Sequence, residues 1–263
     1  MTSAMIRRQR PFGRLNTPIF SSLLAVSLLV AAPFASAQTS DMKVGLGAEL
    51  RIKQNIYRGV GSEFDLLPSL SINAGPVRVD GTMGRFDIYE HLYFDVSVIG
   101  QYRFEGYNGS DSTFLEGMGA RRGALEIGLE MSSRQWFGDV AGRVLTDISS
   151  RHRGFELQGE LGYPLSLAGG TVTPQVQLTY QSDRLTNYYF GVSAGEARAD
   201  RPEYQPGNTI NLGVGVRYDL LLAQRHKIFA SLMFERYGNG IEGSPLRDSK
   251  DPIRIYAGYQ FRF

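Results

Sequence analysis

From Lys43 onward the chain alternates apolar and polar side chains with a period of two, which describes strands with one greasy face and one wet face. Between Val44 and Ile52 the even positions are Val44, Leu46, Ala48, Leu50 and Ile52, and the odd ones are Gly45, Gly47, Glu49 and Arg51. The same alternation runs through Leu92–Phe104, Leu125–Met131, Val140–Ile148, Phe155–Tyr163, Val172–Tyr180, Ile210–Tyr218, Ile228–Phe234 and Ile253–Phe263. These segments are about the nine to eleven residues that a tilted strand needs to cross a hydrocarbon layer. Past the N-terminal leader described below, no window reads as a long amphipathic helix or as a run of about 20 apolar residues.

A soluble sandwich also alternates, but three features separate this chain from one. The polar face carries full charges at mid-strand, among them Asp95, Arg143, Glu160 and Arg217. Aromatic residues such as Phe104, Phe155, Tyr163, Tyr180, Tyr218 and Phe263 stand at segment ends, as in an interfacial girdle. Connections also alternate between short (Ser133–Trp136, Pro164–Gly170, Leu221–Lys227) and long (Gln54–Asp65, Glu105–Arg121, Gln181–Asn208, Gly238–Asp251). The expected fold is therefore all-β: a closed antiparallel transmembrane β-barrel. Lipid offers no hydrogen-bond partner, so the sheet must close and Val44–Ile52 must meet Ile253–Phe263. Short turns on the periplasmic side and long loops outward put both termini in the periplasm and require an even strand count. One pass through Leu66–Ile88, broken near Ala74-Gly75-Pro76, gives about ten strands, and additional short passes there give about twelve.

The N-terminus bears on both charge and destination. Residues 1–37 contain Arg7, Arg8, Arg10 and Arg14 without Lys, Asp or Glu, then an apolar run from Ile19 to Ala32 and the small residues Ala35-Ser36-Ala37. That order reads as a secretory signal peptide cut before Gln38, which leaves 38–263 as the barrel domain. Removing four arginines lowers the 28 Lys+Arg to 24 against 26 Asp+Glu, so the apparent basicity belongs to the leader. No basic tract or phosphate-binding glycine loop remains, which argues against a nucleic-acid partner. With no cysteine in the chain, disulfides, thiolate chemistry and an N-terminal lipidated cysteine are all excluded.

Candidate chemistry is sparse. Of three histidines, His91 and His226 fall in expected periplasmic turns. His152 lies in a short outer loop near Asp147, Ser149 and Ser150, where adjacency in sequence is not triad geometry, and it reads as a solvated loop residue. No His or carboxylate cluster has metal-ligand spacing, and no cofactor is expected. The charges that alternation sends inward are more informative. Asp95, Arg103, Glu126, Glu130, Arg143, Glu160 and Arg217, with Glu49, Arg51, Asp139, Glu156 and Glu235, mix both signs. They suit a paired, mostly closed interior or the lining of a narrow channel.

Two stretches carry resemblances. The C-terminal Tyr256-Ala257-Gly258-Tyr259-Gln260-Phe261-Arg262-Phe263 resembles the assembly signal of outer-membrane proteins, through Tyr256, Gly258, Tyr259, Phe261 and Phe263. That likeness implies insertion into outer-membrane lipid by the barrel-assembly machinery. A second set comprises Tyr57-Arg58-Gly59, Leu67-Pro68, Leu185-Thr186-Asn187-Tyr188-Tyr189-Phe190-Gly191-Val192-Ser193, Glu196-Ala197, Arg201-Pro202 and Tyr204. Spread over most of residues 42–263, these residues resemble the MltA-interacting protein (MipA)/OmpV family. The resemblance implies a scaffold that links a lytic transglycosylase to a murein synthase, with other members porin-like or adhesive. The residues themselves mark Asn187, Tyr188, Tyr189 and Phe190 as an aromatic element for docking or constriction, or one that packs its loop against the barrel wall. Scaffold is the first expectation and a narrow porin-like channel the second. An outer-membrane hydrolase is a distant third, and no enzymatic activity is expected.

Overall fold

Alternation becomes a ring of antiparallel strands in a computed structural model that describes residues 42–248 and 251–263. The expected leader over residues 1–37 and its cut before Gln38 lie outside the described residues. In chain order the strands are β1 (Lys43–Lys53), β2 (Glu63–Ala74), β3 (Val77–Asp80), β4 (Met83–Glu90), β5 (Asp95–Arg103), β6 (Ala124–Gln135) and β7 (Gly138–Asp147). They continue as β8 (Phe155–Gly162), β9 (Leu165–Leu167), β10 (Gly170–Gln181), β11 (Thr209–Leu222), β12 (His226–Arg236) and β13 (Ile253–Arg262). Two short helices, α1 (Asp183–Phe190) and α2 (Asn239–Glu242), sit in the long connections. β8 and β9 pair with successive stretches of β10 and form one interrupted pass, so the ring has twelve passes.

Closure occurs where the absence of hydrogen-bond partners in lipid demands it: β1 pairs with β13 from Gly45↔Arg262 to Lys53↔Arg254. Of the two strand counts, the segment Leu66–Ile88 resolves to the larger one. Its additional passes are the four-residue β3 and the following β4, turned at Gly75-Pro76 and at Gly81-Thr82. Gly81 takes φ +59°, a left-handed conformation that a residue without Cβ adopts at little cost.

Register assigns the faces. Leu46 lies opposite Phe261 and Leu70, whereas Glu49 lies opposite Gly258 and Leu67. Leu178 on the outer face is 54% exposed while Glu126 on the inner face is 1% exposed. Apolar side chains outside and charges inside invert the order of a water-soluble protein, and hydrocarbon is the solvent that fits the outer face. Turns 75–76, 91–94, 136–137, 168–169 and 223–225 share one end of the barrel with the start of β1 and the end of β13. Connections 54–62, 104–123, 148–154, 182–208 and, over its described residues, 237–248 gather at the other end.

Candidate functional site

Four of those connections build a small apolar core of their own. Ile56 and Tyr57 come from the first, and Tyr107, Leu115 and Met118 from the second. Leu185, Tyr189, Phe190 and Val192 enter from the connection that holds α1, and Tyr237, Ile241 and Leu246 from the one that holds α2. All are buried, and each fully buried aliphatic or aromatic side chain contributes roughly 1.5–3 kcal/mol. Segments that would otherwise pay the entropy of ordering singly are thus fixed together as a cap over one end of the lumen.

Tyrosines dominate the cap because a large ring with a polar tip suits a thin core bounded by backbone. Tyr57 meets Tyr107 edge-on at 4.6 Å and stacks with Phe190 at 5.7 Å. Tyr188 and Tyr189 pack edge-on at 4.8 Å, and both hydroxyls reach the backbone of Arg122, where Tyr188 accepts the N–H at 2.9 Å. Burial pushes the Tyr57, Tyr189 and Tyr237 phenols well up and raises Tyr107 to about 12, so all four stay protonated at neutral pH.

Polar staples complete the cap. Arg201 is buried and donates to the carbonyls of Phe114, Glu116 and Glu196, joining the second long connection to the third. Arg121 forks onto Glu196 with both contacts at 3.0 Å. Burial pushes the Glu196 carboxyl up, but the Gly119 and Ser193 hydrogen bonds and the Arg121 charge outweigh it and hold the group below the ordinary carboxylate range.

Under the cap, Arg103, Glu126, Glu130, Arg143, Glu160 and Arg217 are held in ion pairs. Arg103 contacts Glu126 at 2.8 Å, Glu156 at 2.9 Å and Glu105 at 3.1 Å. Arg254 of β13 reaches Glu235 at 2.6 Å and Glu105 at 3.9 Å, so Glu105 links strands from different sides of the ring. Farther toward the short turns, Glu130 holds Arg85 at 2.7 Å and also Arg143, which reaches Glu160 at 3.3 Å. Arg217 pairs with Asp219 at 2.5 Å. Asp95 lines a cavity of about 560 Å³ at the short-turn end together with Arg78, Glu130, Arg143, Glu160 and Arg217. A second cavity of about 670 Å³, between the 168–169 turn and Lys227 and Arg262, shares Asp219 with it.

His152 corrects the sequence reading of a solvated loop residue. Its ring is buried beneath Tyr189, and Nε2 lies 3.1 Å from the Glu126 carboxylate. Asp147 meanwhile receives the backbone N–H groups of Ser149, His152 and Arg153, so it orders its own loop and does not orient the imidazole. The expected aromatic element is placed on α1. Tyr189 and Phe190 are buried there, so they have no free face for docking, while Asn187 is exposed and its backbone carbonyl accepts the Gly191 N–H at 3.0 Å in the last turn of the helix. In the terminal strand Tyr259 and Phe261 point outward beside Ala48 and Leu46, and Tyr256 and Gly258 point inward. Phe263 follows them, with its N–H bonded to the Val44 carbonyl. Arg201, Leu185 and Val192 entered the sequence reading only through the family resemblance, and the other aliphatic residues of the cap carried no signal, since loops impose no period on the residues they bury.

A family model described as MltA-interacting protein MipA matches residues 44–263. Outer membrane protein OmpV of Vibrio cholerae is 26% identical over 157 residues, 60% of this chain and 61% of its own length. Omp26La, an outer membrane protein of Vibrio anguillarum, is 24% identical with the same coverage, so the chain spans about 61% of the length of each. A protein of Escherichia coli named MltA-interacting protein is 20% identical over 246 residues, 92% of this chain and 98% of its own.

Proposed function

Since the chain belongs to the MipA family and is an outer-membrane β-barrel, we propose that it is a structural scaffold for murein-processing complexes. In this reading both termini and the short turns face the periplasm, and the capped end faces outward. The observation that carries it is the capped end: four connections share one apolar core there with ion pairs beneath it, an arrangement that suits a support more than a conduit. A murein hydrolase of the lytic transglycosylase type, and a murein synthase, would be held at the opposite rim. That rim presents exposed Leu92, Tyr93 and Trp136, with Leu221 and Leu222 beside the last short turn. No reaction is assigned to the barrel itself, because His152 is committed to Glu126.

The test is photocrosslinking in intact cells from positions 136 and 222, followed by purification of the barrel. Recovery of a murein hydrolase or synthase supports the scaffold, and barrel recovered without either counts against it. The cavities at the short-turn end keep a narrow channel as the second reading. That reading requires stepwise conductance in a planar bilayer that changes with Arg143→Glu.

A further inference from the structure

The barrel wall is incomplete at one place. β3 pairs with β2 only over Ser71–Ala74, and the turn at Gly81-Thr82 then sends the chain back as β4. Above that turn, the edge of β2 from Glu63 to Ser69 has no strand partner among the described residues. β2 and β5 are three strand spacings apart at the level of the turn, roughly 14 Å.

The sequence is built for this opening. The Leu70 carbonyl accepts the Gly81 N–H, so the backbone groups of Leu70 point away from β1, and so do those two and four residues back. Pro68 is one of these, and the N–H it lacks would have faced a longer β3. Proline inside a sheet belongs on such an edge. On the outer face Phe64 and Leu66 are 70% and 74% exposed, whereas Leu50, opposite Leu66 on the fully flanked β1, is 41% exposed. On the inner face Leu67 is an apolar residue in a row that otherwise reads Glu63, Asp65, Ser69, Ser71 and Asn73.

A contact passes through the gap. Arg51 faces inward, opposite Asp65 and Tyr256 in register and in an ion pair with Glu49 at 2.5 Å. Its guanidinium lies 5.5 Å from the ring of Phe104, which packs edge-on against the outward-facing Tyr102. It also comes within 4.0 Å of the site where a Cβ on Gly81 would stand. The inward cation of β1 reaches across the lumen side of β2 to the aromatic pair at the end of β5, at a level to which neither β3 nor β4 extends.

We propose that this is a lateral window between lumen and bilayer, stoppered by Arg51 and Phe104, and that its occupant is an acyl chain of the surrounding membrane lipid. Open backbone edges do not persist in hydrocarbon unless they line a cavity or are covered, so the window joins the lumen. An alkyl chain entering over Phe64 and Leu66 meets Leu67 on the inner side, which gives it an apolar path past the edge of the wall.

The chain has one tryptophan, Trp136, and no cysteine, which suits it to site-directed probes. With Trp136→Phe as background, Leu67→Trp, Gln177→Trp and Leu178→Trp are refolded into phosphatidylcholine vesicles brominated on their acyl chains. Gln177 faces inward on the far wall opposite Glu160, and Leu178 faces lipid. The window predicts that the probe at 67 loses fluorescence nearly as much as the probe at 178, while the probe at 177 stays bright. Adding Arg51→Ala and Phe104→Ala should deepen the loss at 67 alone. A probe at 67 as bright as the one at 177 overturns the proposal, whether loops or another chain cover the edge. If Leu67→Trp does not fold, a spin label on Leu67→Cys replaces it. Accessibility to oxygen above that to a water-soluble nickel chelate supports the window, and the reverse order overturns it.

Discussion

At the residue scale the cap rests on a few side chains whose partners are main-chain carbonyls. Arg201 is the clearest, since it is buried and serves three carbonyls on two connections. Arg201→Met should loosen the cap by about 2–3 kcal/mol, the cost of leaving buried acceptors unpaired. Trypsin cleavage at Arg121 or Arg198 should rise while the folded barrel keeps its gel mobility. Glu196 supplies a pH dependence of known sign. Its carboxyl is depressed in the folded cap, so its contribution is fully present above the unfolded value of about 4.3 and is lost as pH falls through the lower folded value. Proteolysis of the cap, assayed with an acid-active protease, should therefore climb below about pH 4. In Glu196→Gln that climb should flatten. None of this was legible in the sequence. His152 read as a solvated loop residue, and Glu196 and Arg201 stood out only within the set that resembles the family, because the groups these three meet come largely from other parts of the chain.

At the element scale the strands were legible and one stretch was not. Segments such as Val44–Ile52 and Leu125–Met131 declare themselves because one face meets lipid and the other a polar lumen, so every second residue is constrained. β3 is four residues long, too few for a period to emerge, and the strand count stayed open for that reason. α1 was hidden by its surroundings: two of its aromatic residues, Tyr189 and Phe190, bury against other loops instead of a sheet. The terminal strand offers a further test. A Cβ on Gly258 would stand 2.4 Å from Phe229 Cζ, on the inner face of the neighbouring strand. Gly258→Ala should cost about 1–3 kcal/mol of stability through overpacking, and Phe229→Ala in the same chain should recover part of it. Urea unfolding of the two single variants and the double variant measures the coupling; strict additivity would refute the contact.

At the scale of the whole molecule, the two ends of the barrel differ. One is closed by four connections around a common core, and the other opens into charged cavities. Alternation could announce the barrel and the mixed signs of its lining, but not the closure. Leu115, Ile241 and Leu246 are scattered in sequence and meet only once the ring is formed. The scaffold reading and the capped end stand together, since a barrel that conducts freely would be doing different work. Single-channel recording in a planar bilayer tests this most directly. The folded wild-type barrel should be silent, and Tyr189→Asp, which puts a charge into the cap core, should produce stepwise openings. Steady stepwise conductance from the wild-type barrel, altered by Arg143→Glu, would contradict it.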